Sequence, residues 1–385
     1  MSSETILRYN YRLRPGMKAK ATLIEEWGRS RWIWNQMLAA RQNPQQRLLK
    51  GSDLIAARQQ IKWLREGSQN AQEQTMITFS GKGKRNFKKK RQRPSLGYSR
   101  NGFRIKDGRL KVKGAIIPVV WHRQLPSEPS SLRIYQDALG EWYASFVVRV
   151  TDLPLPEVDG AVGIDWGVSM IATASDSEYD FESPQFTKTA AEQLAKYQQR
   201  MARRKPNPGQ LSSKGYQAAK KQTARLHKKV ARQRQHAAQQ WARKVVAGNQ
   251  LIAVEDFKSK FLGKTRMARK ATDNAVGQTK SELIQYALRA GREVAIVPAA
   301  YTTMTCSNCL TKAKQRLPLS KRIFLCHFCG FTADRDRNAA RVILDTAEKA
   351  RASAEIIRQA ELHLTSDSWT RKPLTLAMGC FYYAY

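Results

Sequence analysis

The chain has 385 residues, and its 68 Lys+Arg against 31 Asp+Glu give a formal net charge of +37 and a pI near 10.3. Such an excess goes far beyond what solubility requires, so a polyanionic partner is expected, nucleic acid before all others. No long uncharged apolar run exists, and MSSETILRYNYRL at the start is not a basic-then-apolar signal peptide; a membrane protein is not expected, and a cytoplasmic, nucleoid-associated prokaryotic protein is.

Residues 6 to 13 alternate Leu7, Tyr9, Tyr11 and Leu13 with Arg8, Asn10 and Arg12, the period-two pattern of a half-buried strand. After Pro15 the apolar spacing lengthens to Leu23, Trp27, Trp34 and Met37 or Leu38, one face of a helix, and helical stretches continue through Trp63. Strand-like runs resume at residues 103–120 and 132–150, bounded by turn signals at Asp107-Gly108, Pro126 and Leu139-Gly140. The expected arrangement is a β-barrel, residues 1–15 and 96–152, enclosing an inserted helical subdomain, 16–95. Within the insert, Lys82, Lys84, Arg85, Lys88, Lys89, Lys90 and Arg91 repel one another and predict a loop with candidate contacts to phosphate. Trp27, Trp32, Trp34, Tyr98 and Trp142 are candidate base-stacking residues, although their spacing favours core positions.

A Pro-rich linker, residues 153–156, precedes AVGIDWGVSMIATASD, which reads as strand, turn, strand with Asp165 at a strand end. Helices are predicted over 187–204 and 213–247, broken by Lys205-Pro-Asn-Pro-Gly209. Leu226, Val230, Trp241 and Val245 form the apolar stripe of the second. Arg203, Arg204, Lys220, Lys221, Arg225, Lys228, Lys229 and Arg232 form a cationic ridge suited to a phosphate backbone, the bland alternative being a solvated face. LIAVEDF is a short buried strand ending in Glu255, followed by a helix near 279–290, the strand REVAIVP and a helix starting near Asp336.

Asp165, Glu255 and Asp336 are three carboxylates at element ends, the donor set that hard divalent cations require for phosphodiester hydrolysis. Acids at such positions are common, so this spacing alone is weak evidence. The cysteines are more specific: Cys306-Ser-Asn-Cys309, sixteen residues, then Cys326-His-Phe-Cys329 matches a four-thiolate zinc site. Four protein ligands leave no open position, so one structural Zn²⁺ is expected.

Taken together and in order, GIDWG, the basic helical stretch, IAVEDF, TCSNC, CHFCGF and ADRDRNAA resemble the TnpB family of transposon-encoded RNA-guided nucleases and the compact type V CRISPR effectors related to it. The resemblance spans about residues 1–345. It implies an α+β multidomain protein: the barrel as a wedge domain, a helical recognition insert, a RuvC-like RNase H-type nuclease domain (157–300 and 334–345), and a zinc ribbon (301–333). It further implies two catalytic Mg²⁺ ions on Asp165, Glu255 and Asp336, with Asp334 a rival for the third position, and a guide RNA and target double-stranded DNA as partners, with a monomer in the ribonucleoprotein. Trp166 stands where the family often has Leu, and Leu310 where Gly often follows the second cysteine. Residues 346–385 form a C-terminal tail to which the sequence assigns no role. A nuclease-silent repressor, a transposase and a plain zinc-ribbon RNA-binding protein are the competing readings; all three carboxylates are present, which disfavours the first, and the last leaves GIDWG and AVED unexplained.

Overall fold

The computed structural model describes residues 4–352 and 380–382, except 44, 48, 82–84, 152–153, 258–266, 316 and 319. The chain divides into two compact units, Ile6–Val150 and, with the first five residues, Thr151–Tyr385.

The first unit contains β1 (Glu4–Leu13), α1 (Met17–Gln42), α2 (Gly51–Gln60), α3 (Lys62–Glu66), α4 (Gln69–Ser80), β2 (Ser95–Ser99), β3 (Phe103–Lys106), β4 (Arg109–Val112), β5 (Ala115–Val120), β6 (Ser131–Gln136) and β7 (Trp142–Thr151). Its sheet runs β2-β6-β7-β1-β5-β4-β3. The two edge strands, β2 and β3, are separated in sequence only by Arg100–Gly102. So short a link forces the sheet to curl until its edges approach, giving a nearly closed antiparallel barrel. The alternation read in residues 6–13 fills this barrel: Tyr11 and Leu13 are buried with Leu110, Ile117, Ile134 and Phe146, while Trp27 of α1 and Ala71 of α4 cover one side. The strand β2 escaped sequence reading because Ser-Leu-Gly-Tyr-Ser has little intrinsic β preference; its pairing with β6, Ser95↔Tyr135 through Ser99↔Ser131, supplies what propensity does not. Trp27, Tyr98 and Trp142 are core residues, and Trp32 and Trp34 are half-buried against the helical cluster of Ile33, Met37, Leu54 and Phe79.

The second unit contains β8 (Ala161–Trp166), β9 (Met170–Ala174), β10 (Phe181–Glu182), α5 (Phe186–Thr189), α6 (Ala191–Arg203), α7 (Lys214–Gly248), β11 (Leu251–Glu255), α8 (Ala268–Asn274), α9 (Val276–Arg289), β12 (Glu293–Val297), β13 (Ile323–Leu325), β14 (Thr332–Asp334), α10 (Arg335–Ala352) and β15 (Cys380–Tyr382). Six strands form one sheet in the order β10-β9-β8-β11-β12-β15, with the β8, β11, β12 and β15 pairings parallel and the β9 pairings antiparallel. Helices cover both faces, as buried parallel strands require. On one face Val162, Ile164, Ile252, Val254, Val294 and Ile296 pack with Trp241 and Val245 of α7 and Leu283 of α9. On the other, Leu251, Ala253, Ala295 and Val297 pack with Ile343 and Ala347 of α10. Of the expected stripe on α7, Val230, Trp241 and Val245 are buried and Leu226 is only partly so.

Candidate active site and nucleic-acid interface

Strand periodicity decides where the first two acids point. Because successive residues face opposite sides of a sheet, Gly163 and Asp165 of β8 lie on the face opposite Val162, Ile164 and Trp166, as do Leu251, Ala253 and Glu255 of β11. That face belongs to α10. Ile164 aligns with Val254 across the parallel pair, so Asp165 and Glu255 occupy neighbouring positions where the two strands end. The carboxyl ends of parallel strands are where open α/β sheets place ligands.

The third acid arrives on α10 by close packing. A Cβ on Gly163 would stand 2.0 Å from the Ala340 carbonyl oxygen and 2.8 Å from the Leu344 nitrogen. Only glycine admits a helix backbone at this distance. Two residues along a strand cover about 6.6 Å and four along a helix about 6 Å, so the Gly163–Ala340 contact aligns Asp165 with Asp336. Arg337 ties the same end of the helix to the sheet with a paired donation to Asp180, at 2.9 and 2.6 Å. Asp334, the rival for the third position, caps α10: its Oδ1 accepts the N–H groups of Asp336 and Arg337 at 3.0 and 2.9 Å.

The three carboxyl groups sit in an environment hostile to their charges. Asp165 and Glu255 are 7% and 6% exposed. Burial, and then the neighbouring charges of Glu255 and Asp336, push Asp165 well above the carboxylate range, with Arg335 a partial offset. Burial raises Glu255 to about 7, opposed by a hydrogen bond from the Thr302 hydroxyl at 3.4 Å and by Lys280. Asp336 is also raised by burial, against the ion pair from Arg322 at 3.2 Å. Crowded, desolvated acids of this kind accept a divalent cation in place of protons, so the donor set suits hard metal ions. Sequence reading missed Thr302, Lys280, Arg322 and Arg335. Lys280 is buried and donates to the Glu255 carbonyl at 2.8 Å, and nothing in its helical spacing signals that role.

The four cysteines converge as their spacing predicts: Cys306, Cys309, Cys326 and Cys329 present sulfurs within 4.8 Å of one another. The Cys306–Cys329 and Cys309–Cys326 distances are 3.7 and 3.6 Å. These are far from the ~2.05 Å of a disulfide and close to the ~3.8 Å between thiolates in a tetrahedral site with Zn–S near 2.3 Å. In each knuckle the residue after the second cysteine takes a left-handed conformation, Gly330 at φ 73° and Leu310 at φ 60°.

The basic candidates divide. Arg203, Arg204, Lys220, Lys221, Arg225, Lys229 and Arg232 are exposed along α6 and α7, and Lys228 is half-buried. Lys89, Lys90 and Arg91 are exposed in an irregular segment. Arg85 and Lys88 instead anchor that segment. The Lys88 ammonium lies 3.8 Å from the Trp34 ring centre and 5.0 Å from that of Trp27, and burial lowers its pKa to about 8. Arg85 lies over Phe79. Lys82 and Lys84 fall outside the described residues.

Comparison with known proteins bears on the same regions. Residues 145–264 match a family model described as "Probable transposase" (OrfB of IS605), residues 277–343 the TNB domain of Cas12f1-like proteins, and residues 1–47 the helix-turn-helix domain of OrfB. A Streptomyces pristinaespiralis protein named "Putative RNA-guided DNA endonuclease" is 30% identical over 276 residues, 70% of this chain and 67% of that protein. An Escherichia coli K12 protein named "Putative RNA-guided DNA endonuclease InsQ" is 24% identical over 91% of this chain and 94% of its own length. Among solved structures, a CRISPR-Cas12f ternary complex aligns with 84% of this chain and 81% of that one at 13% identity and a TM-score of 0.35. The chain belongs to the TnpB family, the OrfB group of IS605-type elements.

Proposed function

We propose that this chain is an RNA-guided DNA endonuclease of the TnpB type, cutting double-stranded DNA beside a short motif with a guide supplied by its own mobile element. One observation supports the reading: Asp165 and Glu255 occupy neighbouring positions at the carboxyl ends of β8 and β11, and Asp336, at the start of α10, lies near enough to Asp165 to repel its charge. The names of the curated relatives support RNA and DNA as partners. In this reading residues 157–300 and 334–345 are a RuvC-type nuclease domain and 301–333 a zinc ribbon. The barrel, 1–15 and 96–152, and its insert, 16–95, grip the guide, base pairing selects the target, and the protein works as a cytoplasmic monomer within its ribonucleoprotein.

Asp165, Glu255 and Asp336 would hold two Mg²⁺ ions, which supply an activated water and charge stabilisation at the leaving oxygen when bound. The chain's own residues fix the geometry. Thr302 orients one Glu255 oxygen, Arg335 reduces the repulsion at Asp165, and the Gly163–Ala340 packing keeps Asp336 in place. One Zn²⁺ on the four cysteines closes the ribbon and leaves no position for substrate. The exposed cations of α6, α7 and residues 89–91 contact nucleic-acid phosphates.

Purification from cells carrying the native locus, sequencing of the bound RNA and cleavage of DNA matching its variable end test the proposal. The expected result is guide-dependent cutting abolished by EDTA and by Asp165→Ala, with RNA still bound. RNA binding without cutting by the unaltered protein would make it a repressor, and absence of a discrete RNA would remove the guided element.

A further inference from the structure

Asn338 follows Asp336 by two residues and is fully buried. Its Oδ1 accepts the Ser307 N–H at 2.9 Å and its Nδ2 donates to the Thr305 carbonyl at 2.7 Å. Both partners belong to the first cysteine knuckle: Thr305 precedes Cys306, and Ser307 lies between Cys306 and Cys309. The second knuckle grips the same turn of helix from the other end. Its strand β14 ends at Asp334, paired with Ile323, and runs without a break into α10. The Arg335 N–H donates to the Arg322 carbonyl at 2.7 Å and the Arg335 guanidinium to the Pro318 carbonyl at 2.9 Å. The helical turn that carries Asp336 is therefore tied to both halves of the four-cysteine module.

We infer that Asn338 is a positioning residue that makes the cation site of Asp165, Glu255 and Asp336 depend on the closed four-cysteine module. The inference rests on the cation-site reading above. A buried amide that accepts from one knuckle N–H and donates to one knuckle carbonyl fixes both the rotation and the height of the helix start. Opening the knuckle strands that amide and frees the turn bearing Asp336, and a carboxylate displaced by about 1 Å is a poor partner for the other two. A merely structural role for Asn338 would lower stability and leave cation affinity of the folded protein unchanged.

The test is Mn²⁺ binding to full-length protein, with bound zinc measured in parallel. Asn338→Ala retains one zinc per chain but binds Mn²⁺ at the Asp165-dependent site about tenfold more weakly, the usual scale for losing an orienting partner of a metal ligand. Removing zinc from the unaltered protein causes a loss of similar size, and removing it from Asn338→Ala causes little more, because both act through one connection. Should Asn338→Ala fail to fold, Ser307→Pro deletes the N–H from the knuckle side, at a turn position that suits proline, and is read in the same way. Unchanged Mn²⁺ affinity in the zinc-loaded variant, or fully additive losses, overturns the inference alone. Absence of any Mn²⁺ site that Asp165→Asn removes overturns the cation reading and the inference with it.

Discussion

Two regions of this molecule hold like charges together, at opposite extremes of solvation. Along α6 and α7, Arg203, Arg204, Lys220, Lys221, Arg225, Lys229 and Arg232 stand in water, where charges a turn apart are weakly coupled and screened by salt. At the ends of β8 and β11, Asp165 and Glu255 are nearly solvent-free beside the partly exposed Asp336, and each of the three is pushed toward its protonated form. The contrast separates two kinds of functional charge. A solvated ridge costs little to keep and says only that an anion is welcome. A buried acidic cluster costs stability and persists where its charge serves a purpose.

The largest effect should come from disturbing how the acidic cluster is built. Gly163→Ala places a methyl group against the α10 backbone at Ala340 and should cost about 3 kcal/mol of stability, with loss of cleavage, because the helix must withdraw and carry Asp336 with it. Chemical denaturation and a cleavage assay check this; an unfolding midpoint within error of the unaltered protein would show that the contact yields easily.

The ridge should respond in the opposite manner. Replacing Lys220, Lys221, Arg225, Lys229 and Arg232 with Gln should leave stability within about 0.5 kcal/mol. The salt dependence of RNA affinity should flatten by about 0.7 per lost phosphate contact on a log–log plot. An unchanged slope would make these residues a solvated face and nothing more.

The smallest effect concerns the two knuckles, which differ by one residue. Gly330 takes its left-handed conformation freely, while Leu310 does so against a steric cost of about 1 kcal/mol. Since glycine also loses more chain entropy on folding, Leu310→Gly should gain only roughly 0.5 kcal/mol, read as slightly slower zinc release to a chelator. Faster release would indicate that the half-exposed Leu310 side chain packs to useful effect.

Much of this was legible in the residues. The alternation of Leu7, Tyr9, Tyr11 and Leu13 locates β1, the valines and isoleucines around Asp165 and Glu255 locate β8 and β11, and the cysteine spacing brings four sulfurs together. Local pattern carries those features. The reason that glycine stands in GIDWG was not legible, because Gly163 answers to a helix almost 180 residues later. Nor was the difference between Lys88 and Lys89: neighbours in a uniform charge run, one lies over two indole rings and the other faces solvent. The strand β2 depends on its partner β6, and the ties from Thr302 and Lys280 to Glu255 exist only after the sheet has formed.

The proposed cation site of Asp165, Glu255 and Asp336 is tested most directly by the linkage of these acids to pH. An acid whose folded pKa lies above its unfolded value binds more protons when folded, so stability falls as pH rises between the two. For Glu255 that window runs from the ordinary glutamate value to about 7, and Asp165 shifts in the same direction. Thermal unfolding should therefore show the metal-free protein losing stability from pH 5 to pH 8, Mg²⁺ restoring it at pH 8, and Asp165→Asn showing a shallower loss and little response to Mg²⁺. A metal-free protein indifferent to pH across this range, or an Asp165→Asn variant that Mg²⁺ stabilises as strongly as the unaltered chain, would contradict the account.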